Sequence, residues 1–174
     1  MEDYTGKTVV ITGGTSGLGY AFAKILGSRG ANIVITGRRE EKGQQALEKL
    51  QAEGISARYI QQDVSNESDW NNLAFAVKSE FGTVDYLFNN AGVMLQPNAL
   101  MKTSLDDWKW IVDTNFWGSL YGLRIFSGLM FTQPEGGRII TTASTAGVSA
   151  FSGWAPYSVT KTALVRLVEN YQAE

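Results

Sequence analysis

Five short runs of mainly β-branched and aliphatic residues recur along the chain, at Lys7–Thr12, Asn32–Thr36, Ser56–Gln61, Val84–Phe88 and Arg138–Thr142. Longer amphipathic segments separate them, at Gly17–Arg29, Glu40–Glu53, Glu67–Phe81 and Leu105–Met130, with a last one from Ala155 onward. The short runs are nearly continuous in apolar character, as strands are when helices cover both faces of their sheet. Regular alternation of strand and helix calls for parallel pairing through right-handed crossovers. The pattern therefore predicts a Rossmann-like, doubly wound α/β domain with strand order 3-2-1-4-5.

The last helix carries a stripe of Leu164, Leu167, Val168 and Tyr171 that is still running as the sequence reaches Glu174. No glycine, proline or basic last turn marks a helix end there. The run Arg138–Thr142 reads as a central strand, yet the expected order leaves it at an edge, where a long apolar strand is a liability. Residues 1–174 are thus expected to form one α/β domain that stops within the helix bearing Tyr157 and Lys161, with its final strands missing.

Composition narrows the chemistry. With 174 residues, 44% hydrophobic and 18% charged, the chain suits one globular domain with a sizeable core. A net charge of -2 with both signs interspersed gives no reason to expect a nucleic-acid or membrane-surface partner. There is no cysteine and no histidine, which excludes disulfides, thiol catalysis and a histidine triad, and leaves no good zinc site. Acid–base work must fall to carboxylates, tyrosine or lysine. The start Met1-Glu2-Asp3-Tyr4 is acidic and does not read as a signal peptide, and no apolar run reaches membrane-span length, so a cytoplasmic location is expected. In that setting the sequon Asn66-Glu67-Ser68 is expected to be accidental.

The first strand runs into Thr12-Gly13-Gly14-Thr15-Ser16-Gly17-Leu18-Gly19 and then a helix. Glycines at 13, 17 and 19 allow a tight turn, close approach of a pyrophosphate, and close packing of helix on strand. Gly13, Thr15, Ser16, Gly17, Leu18 and Gly19 are the expected phosphate-binding set. A Walker loop does not fit, because Tyr20 follows Gly19. The alternative is a glycine-rich turn that binds nothing. The second strand leads to Gly37-Arg38-Arg39, whereas NAD sites usually place a carboxylate at this point to bind the ribose hydroxyls. Arg38 and Arg39 offer planar cations suited to a 2′-phosphate, so NADP(H) is the expected cofactor and NAD the alternative. Two merely solvated arginines are the competing explanation.

Tyr157 and Lys161 are spaced i, i+4 on one helix face. A nearby ammonium favours the phenolate form of a tyrosine, which suits that pair to acid–base chemistry. Ser144 follows the fifth strand, at the carboxyl end of the sheet where doubly wound folds bind ligands. A lone Tyr-x-x-x-Lys is weak evidence, and a surface tyrosine and lysine would look the same.

Taken together, Thr12-Gly13-x-x-x-Gly17-x-Gly19, Asn89-Asn90-Ala91-Gly92, Asn115, Ser144 and Tyr157-x-x-x-Lys161 resemble the short-chain dehydrogenase/reductase family in order and spacing, over the whole chain. The resemblance implies an oxidoreductase exchanging hydride between NADP(H) and a carbonyl or alcohol substrate. Tyr157 would be its acid/base. Lys161 would stabilise the phenolate and hold the nicotinamide ribose, Ser144 would orient the carbonyl, and Asn115 would help maintain a water-mediated proton relay. It also implies that Asp63 and Val64 contact the adenine and that Asn90, Ala91 and Gly92 flank the cofactor, while Asn89 reads better as a hydrogen-bonded strand end. Ser16 departs from the stronger NADP pattern, in which a second basic residue precedes the middle glycine. The family's further strands and substrate-covering segment have no counterpart here.

Trp108, Trp110, Phe116, Trp117 and Tyr121 read as packing or subunit-interface residues, consistent with the homodimer or homotetramer the resemblance implies. Met94, Leu95 and Trp154 are candidates for a substrate pocket. A non-catalytic NADP-binding or interaction module is the alternative function.

Overall fold

The computed structural model describes residues 3–174. Its five strands are β1 (Thr8–Ile11), β2 (Asn32–Gly37), β3 (Ala57–Gln61), β4 (Tyr86–Asn89) and β5 (Arg138–Thr141), all parallel and ordered β3-β2-β1-β4-β5. The parallel pairing is what the alternating pattern predicts, and the order is the one expected for this fold class. Val9, Val10 and Ile11 of the central strand have no solvent exposure, because side chains on both faces of β1 are covered.

One face packs on α1 (Gly17–Gly27) and α2 (Glu40–Ala52), where Val9, Ile11, Ile33 and Ile35 meet Ala23, Leu26 and Leu50. The other packs on α3 (Glu67–Phe81) and α5 (Gly118–Phe131), where Val10, Val34 and Leu87 meet Trp70, Leu73 and Phe126. Trp70 is wholly buried, stands edge-on to Phe126, and donates its indole N–H to the Val64 carbonyl at 2.9 Å. A core residue thus fixes the loop that leaves β3.

The segment expected as one helix, Leu105–Met130, is interrupted. It forms α4 (Leu105–Val112), a π-helical turn at Asp113–Trp117, and α5. A π turn inserts a residue into the helical ladder and turns side chains out of the 3.6-residue period, and such turns are frequent at functional sites. Here it carries Asn115, which is fully buried.

The last helix, α6 (Ala155–Gln172), begins with Pro156 in its first turn, where a missing N–H costs nothing. Among the described residues β5 pairs only with β4. Beside its open edge, Leu123, Met130, Ile139 and Val168 line a groove of about 580 Å³.

Candidate active site

Backbone geometry at the carboxyl ends of β1 and β4 builds the first part of the site. The Thr12 hydroxyl accepts from the backbone N–H of Asn90 at 2.9 Å and of Ala91 at 3.0 Å. Asn90 Nδ2 donates to the Thr12 carbonyl, and Asn90 Oδ1 accepts from the Thr142 hydroxyl, both at 3.0 Å. Asn90 therefore ties together the ends of β1, β4 and β5. Asn89 is buried and donates to the Ser119 carbonyl at 2.7 Å, the structural role expected of it.

The turn after β1 is tight for a specific reason. A Cβ at Gly19 would stand 2.5 Å from the Gly13 carbonyl oxygen and 2.7 Å from Asn90 Nδ2, so no other residue fits without moving the turn. The Ser16 side chain makes no capping bond to α1, which leaves the first amides of that helix to whatever anion lies before them.

A cleft of about 260 Å³ opens beside this turn. Gly13, Thr15, Ser16, Leu18 and Gly19 line one side. Arg38, Arg39 and Val64 lie along it, and Asn90, Ala91 and Gly92 close it. Among the described residues no carboxylate stands on its wall, and Arg38 and Arg39 are the ionised side chains that line it. Gly17 and Asp63 flank the cleft without lining it. Asp63 Oδ1 accepts instead from the Ser65 backbone N–H at 3.0 Å and its hydroxyl at 2.7 Å.

Gln62 was not anticipated. It is 1% exposed and lines the cleft, and its Oε1 accepts from the Thr36 hydroxyl at 2.7 Å. Its Nε2 has no partner among the described residues. A buried amide left unpaired costs free energy, and a bound molecule with an acceptor at this place would remove that cost. The uncapped helix start, the two arginines and this orphaned donor all suit a dinucleotide.

The catalytic candidates meet around α6. Lys161 is 4% exposed, and burial in this poorly hydrated position pushes its ammonium down to about 8. Its Nζ donates to the Thr142 carbonyl at 2.8 Å and lies 5.7 Å from the centroid of the Tyr157 ring. Asn115 Oδ1 accepts from the Val93 N–H at 2.7 Å, while its Nδ2 donates to the Val93 carbonyl at 2.9 Å and to the Thr160 hydroxyl at 3.2 Å. The Thr160 hydroxyl in turn donates to the Tyr157 carbonyl at 2.8 Å. Asn115 is thus a strut between the segment after β4 and the first turns of α6. Ser144 sits past β5, with its Oγ accepting from the Ala146 N–H at 3.2 Å. Leu95 and Trp154 join Tyr157 on the wall of a second cavity of about 300 Å³, whereas Met94 is half exposed and does not line it.

A buried lysine under a tyrosine ring thus lies beside a cleft built on a glycine-rich turn. The short chain dehydrogenase family model matches residues 7–174. The chain belongs to that family. It is 32% identical over 172 residues to a C alpha-dehydrogenase of Sphingobium sp., covering 99% of this chain and 56% of that protein. It is 35% identical over 169 residues to an oxidoreductase of Listeria monocytogenes, named as uncharacterized, covering 97% of this chain and 67% of that protein. The chain thus spans between about half and two thirds of the length of these relatives.

Among solved structures, a short chain dehydrogenase/reductase from Burkholderia phymatum in complex with NAD superposes with a TM-score of 0.94 at 36% identity, over 98% of this chain and 60% of that one. An NAD+-bound xylitol dehydrogenase superposes with a TM-score of 0.93 at 30% identity, over 98% of this chain and 65% of that one. The fold and the family follow from these matches. No helix among the described residues is long and apolar enough to cross a membrane.

Proposed function

We propose that this chain carries the cofactor-binding and proton-transfer machinery of an NADP(H)-dependent oxidoreductase acting on a carbonyl or alcohol group. The observation that carries this reading is the placement of Lys161: buried, held by the Thr142 carbonyl, and 5.7 Å from the Tyr157 ring centroid. A bound nicotinamide supplies or accepts the hydride. Tyr157 then gives its hydroxyl proton to the carbonyl oxygen in reduction, or takes the alcohol proton in oxidation. The adjacent Lys161 charge stabilises the phenolate left behind. Ser144 donates to the same substrate oxygen. Asn115 is a positioning residue that keeps Val93 and α6 in register.

NADP(H) is preferred over NAD(H) in this reading, because the cleft presents Arg38 and Arg39 and no carboxylate. NAD is the alternative, since two similar structures hold it. Exposed Trp110 and Trp117, on α4 and the π turn, support a homodimer or homotetramer. The reading includes a cytoplasmic location. Fluorescence titration with NADPH and NADH, followed by NADPH oxidation in the wild type and Tyr157→Phe, tests it. Equal affinities would remove the NADP preference, and equal oxidation rates would remove the role of Tyr157.

A further inference from the structure

We infer that the cavity beside Tyr157 selects uncharged aryl ketones or aryl carbinols, with Trp154 as the residue that recognises the ring and Asp107 as the residue that turns away anions. The inference rests on the reading of Tyr157 as proton donor, because that reading puts the reacting carbonyl next to this cavity.

Size comes first. A cavity of about 150 Å³ holds one benzene ring. The space between Leu95, Trp154, Pro156 and Tyr157 is about 300 Å³, room enough for one substituted ring. It is separate from the nucleotide cleft, since residues 90–93 line the cleft whereas Leu95 and Gln96 line the cavity.

Its aromatic wall is held rigidly. The Trp154 ring is tilted 35° to Phe151 with centroids 5.7 Å apart, and stands edge-on to Tyr157 at 81° and 6.0 Å. The supporting loop is clamped as well, because the Asn98 N–H donates to the Gly153 carbonyl at 3.0 Å. Gly153 has a φ of 80°, and a Cβ there would meet the Asn98 nitrogen and Pro97 Cβ at 3.1 Å. A half-buried indole fixed between two other rings is a preorganised face for a flat, apolar group, so little ordering cost is added on binding.

Charge supplies the second restriction. Among the described residues that line the cavity, Asp107 is the one with an ionised side chain, and none is a lysine or arginine. Asp107 Oδ2 accepts from the Ser104 hydroxyl at 2.8 Å in the first turn of α4, which holds the carboxylate in place. A carboxylate-bearing substrate would meet repulsion there and find no cation on the cavity wall to replace its hydration. A ring hydroxyl, by contrast, would find an acceptor.

The test uses ligand-observed saturation-transfer NMR on the 174-residue protein, with acetophenone, cyclohexyl methyl ketone and benzoylformate as probes. Acetophenone should bind more tightly than the cyclohexyl ketone by about threefold, and more tightly than benzoylformate by about three- to tenfold. Trp154→Ala should weaken acetophenone about tenfold, and Trp154→Phe should recover most of the loss. Asp107→Asn, a change at an exposed position, should narrow the gap to benzoylformate. NADPH affinity should stay within about twofold in all three variants, since neither residue lines the cleft. Unchanged acetophenone binding in Trp154→Ala, or equal binding of benzoylformate, would overturn the inference. If acetophenone binding follows Trp154 while Tyr157→Phe oxidises NADPH at the wild-type rate, the proton-donor reading fails and the aryl pocket stands.

Discussion

Lys161 Nζ lies 5.7 Å from the centroid of the Tyr157 ring while donating to the Thr142 carbonyl at 2.8 Å. One turn of α6 thereby couples the tyrosine to the end of β5, and the coupling costs stability because the ammonium is buried.

That cost has a sign that can be measured. Burial lowers the Lys161 pKa from 10.5 to about 8, so between these values the unfolded chain binds the proton that the folded one has lost. The penalty is full below pH of about 8 and fades as pH rises toward 10.5, where both states are neutral. It is on the order of 3 kcal/mol, at about 1.4 kcal/mol per decade of proton affinity. Urea unfolding of wild type and Lys161→Met across this range should show the wild type gaining on the variant as pH rises. A constant difference would mean that the ammonium is well solvated.

Asn115→Ala should destabilise the fold by about 2 kcal/mol, because both Val93 backbone groups lose a partner in a part-buried place. Chemical denaturation gives the figure. Asn115→Asp should be little better, since it keeps the acceptor for the Val93 N–H but loses the donor to its carbonyl. A loss below about 0.5 kcal/mol for Asn115→Ala would deny that this strut holds the site.

The architecture was legible because apolar runs and helix stripes report burial directly, and their alternation calls for a parallel, doubly wound sheet. The glycine turn, Ser144, Tyr157 and Lys161 stood out by their spacing, and Asn115 by the resemblance to the short-chain dehydrogenase/reductase family. The break at Asp113–Trp117 did not, because Val112, Phe116 and Leu120 sustain an apolar period through it, while the Asn115–Val93 bond that accompanies the π turn is a contact to backbone that residue type does not announce. Gln62 was invisible for a related reason. A glutamine after a strand reads as surface, and only the packing of β3 against Thr36 shows it buried with one end unpaired. The part of the site made by carbonyls, at Thr142 and Val93, leaves no mark in residue type.

The double variant Thr36→Val/Gln62→Leu should fold as stably as the wild type to within about 1 kcal/mol, because it removes an unpaired buried amide along with its partner. Its nucleotide affinity should nevertheless fall about five- to tenfold, reflecting one lost hydrogen bond. Calorimetric titration with NADPH beside a thermal melt separates the two effects. Unaltered affinity would leave Gln62 a packing residue.

Cofactor choice should follow Arg38 and the space at Gly37. NADPH should bind about tenfold or more tightly than NADH, and Arg38→Asp should reverse the order. Gly37→Asp alone should weaken both nucleotides, since its Cβ would stand 2.8 Å from Thr15 Cγ2. Adding Thr15→Ala removes that contact and should convert the protein to NADH preference. Fluorescence titration of the four proteins reads this out, and equal affinities in the wild type would contradict it.

The most direct measurement is NADPH oxidation by wild type and Tyr157→Phe under single-turnover conditions with excess acetophenone, beside NADPH titration of each protein. A positioned general acid contributes about 10²–10⁴-fold. The Tyr157→Phe rate should therefore fall by about a hundredfold or more, with NADPH affinity within about twofold of the wild type. Equal rates in the two proteins would contradict the assignment of Tyr157 as the proton donor.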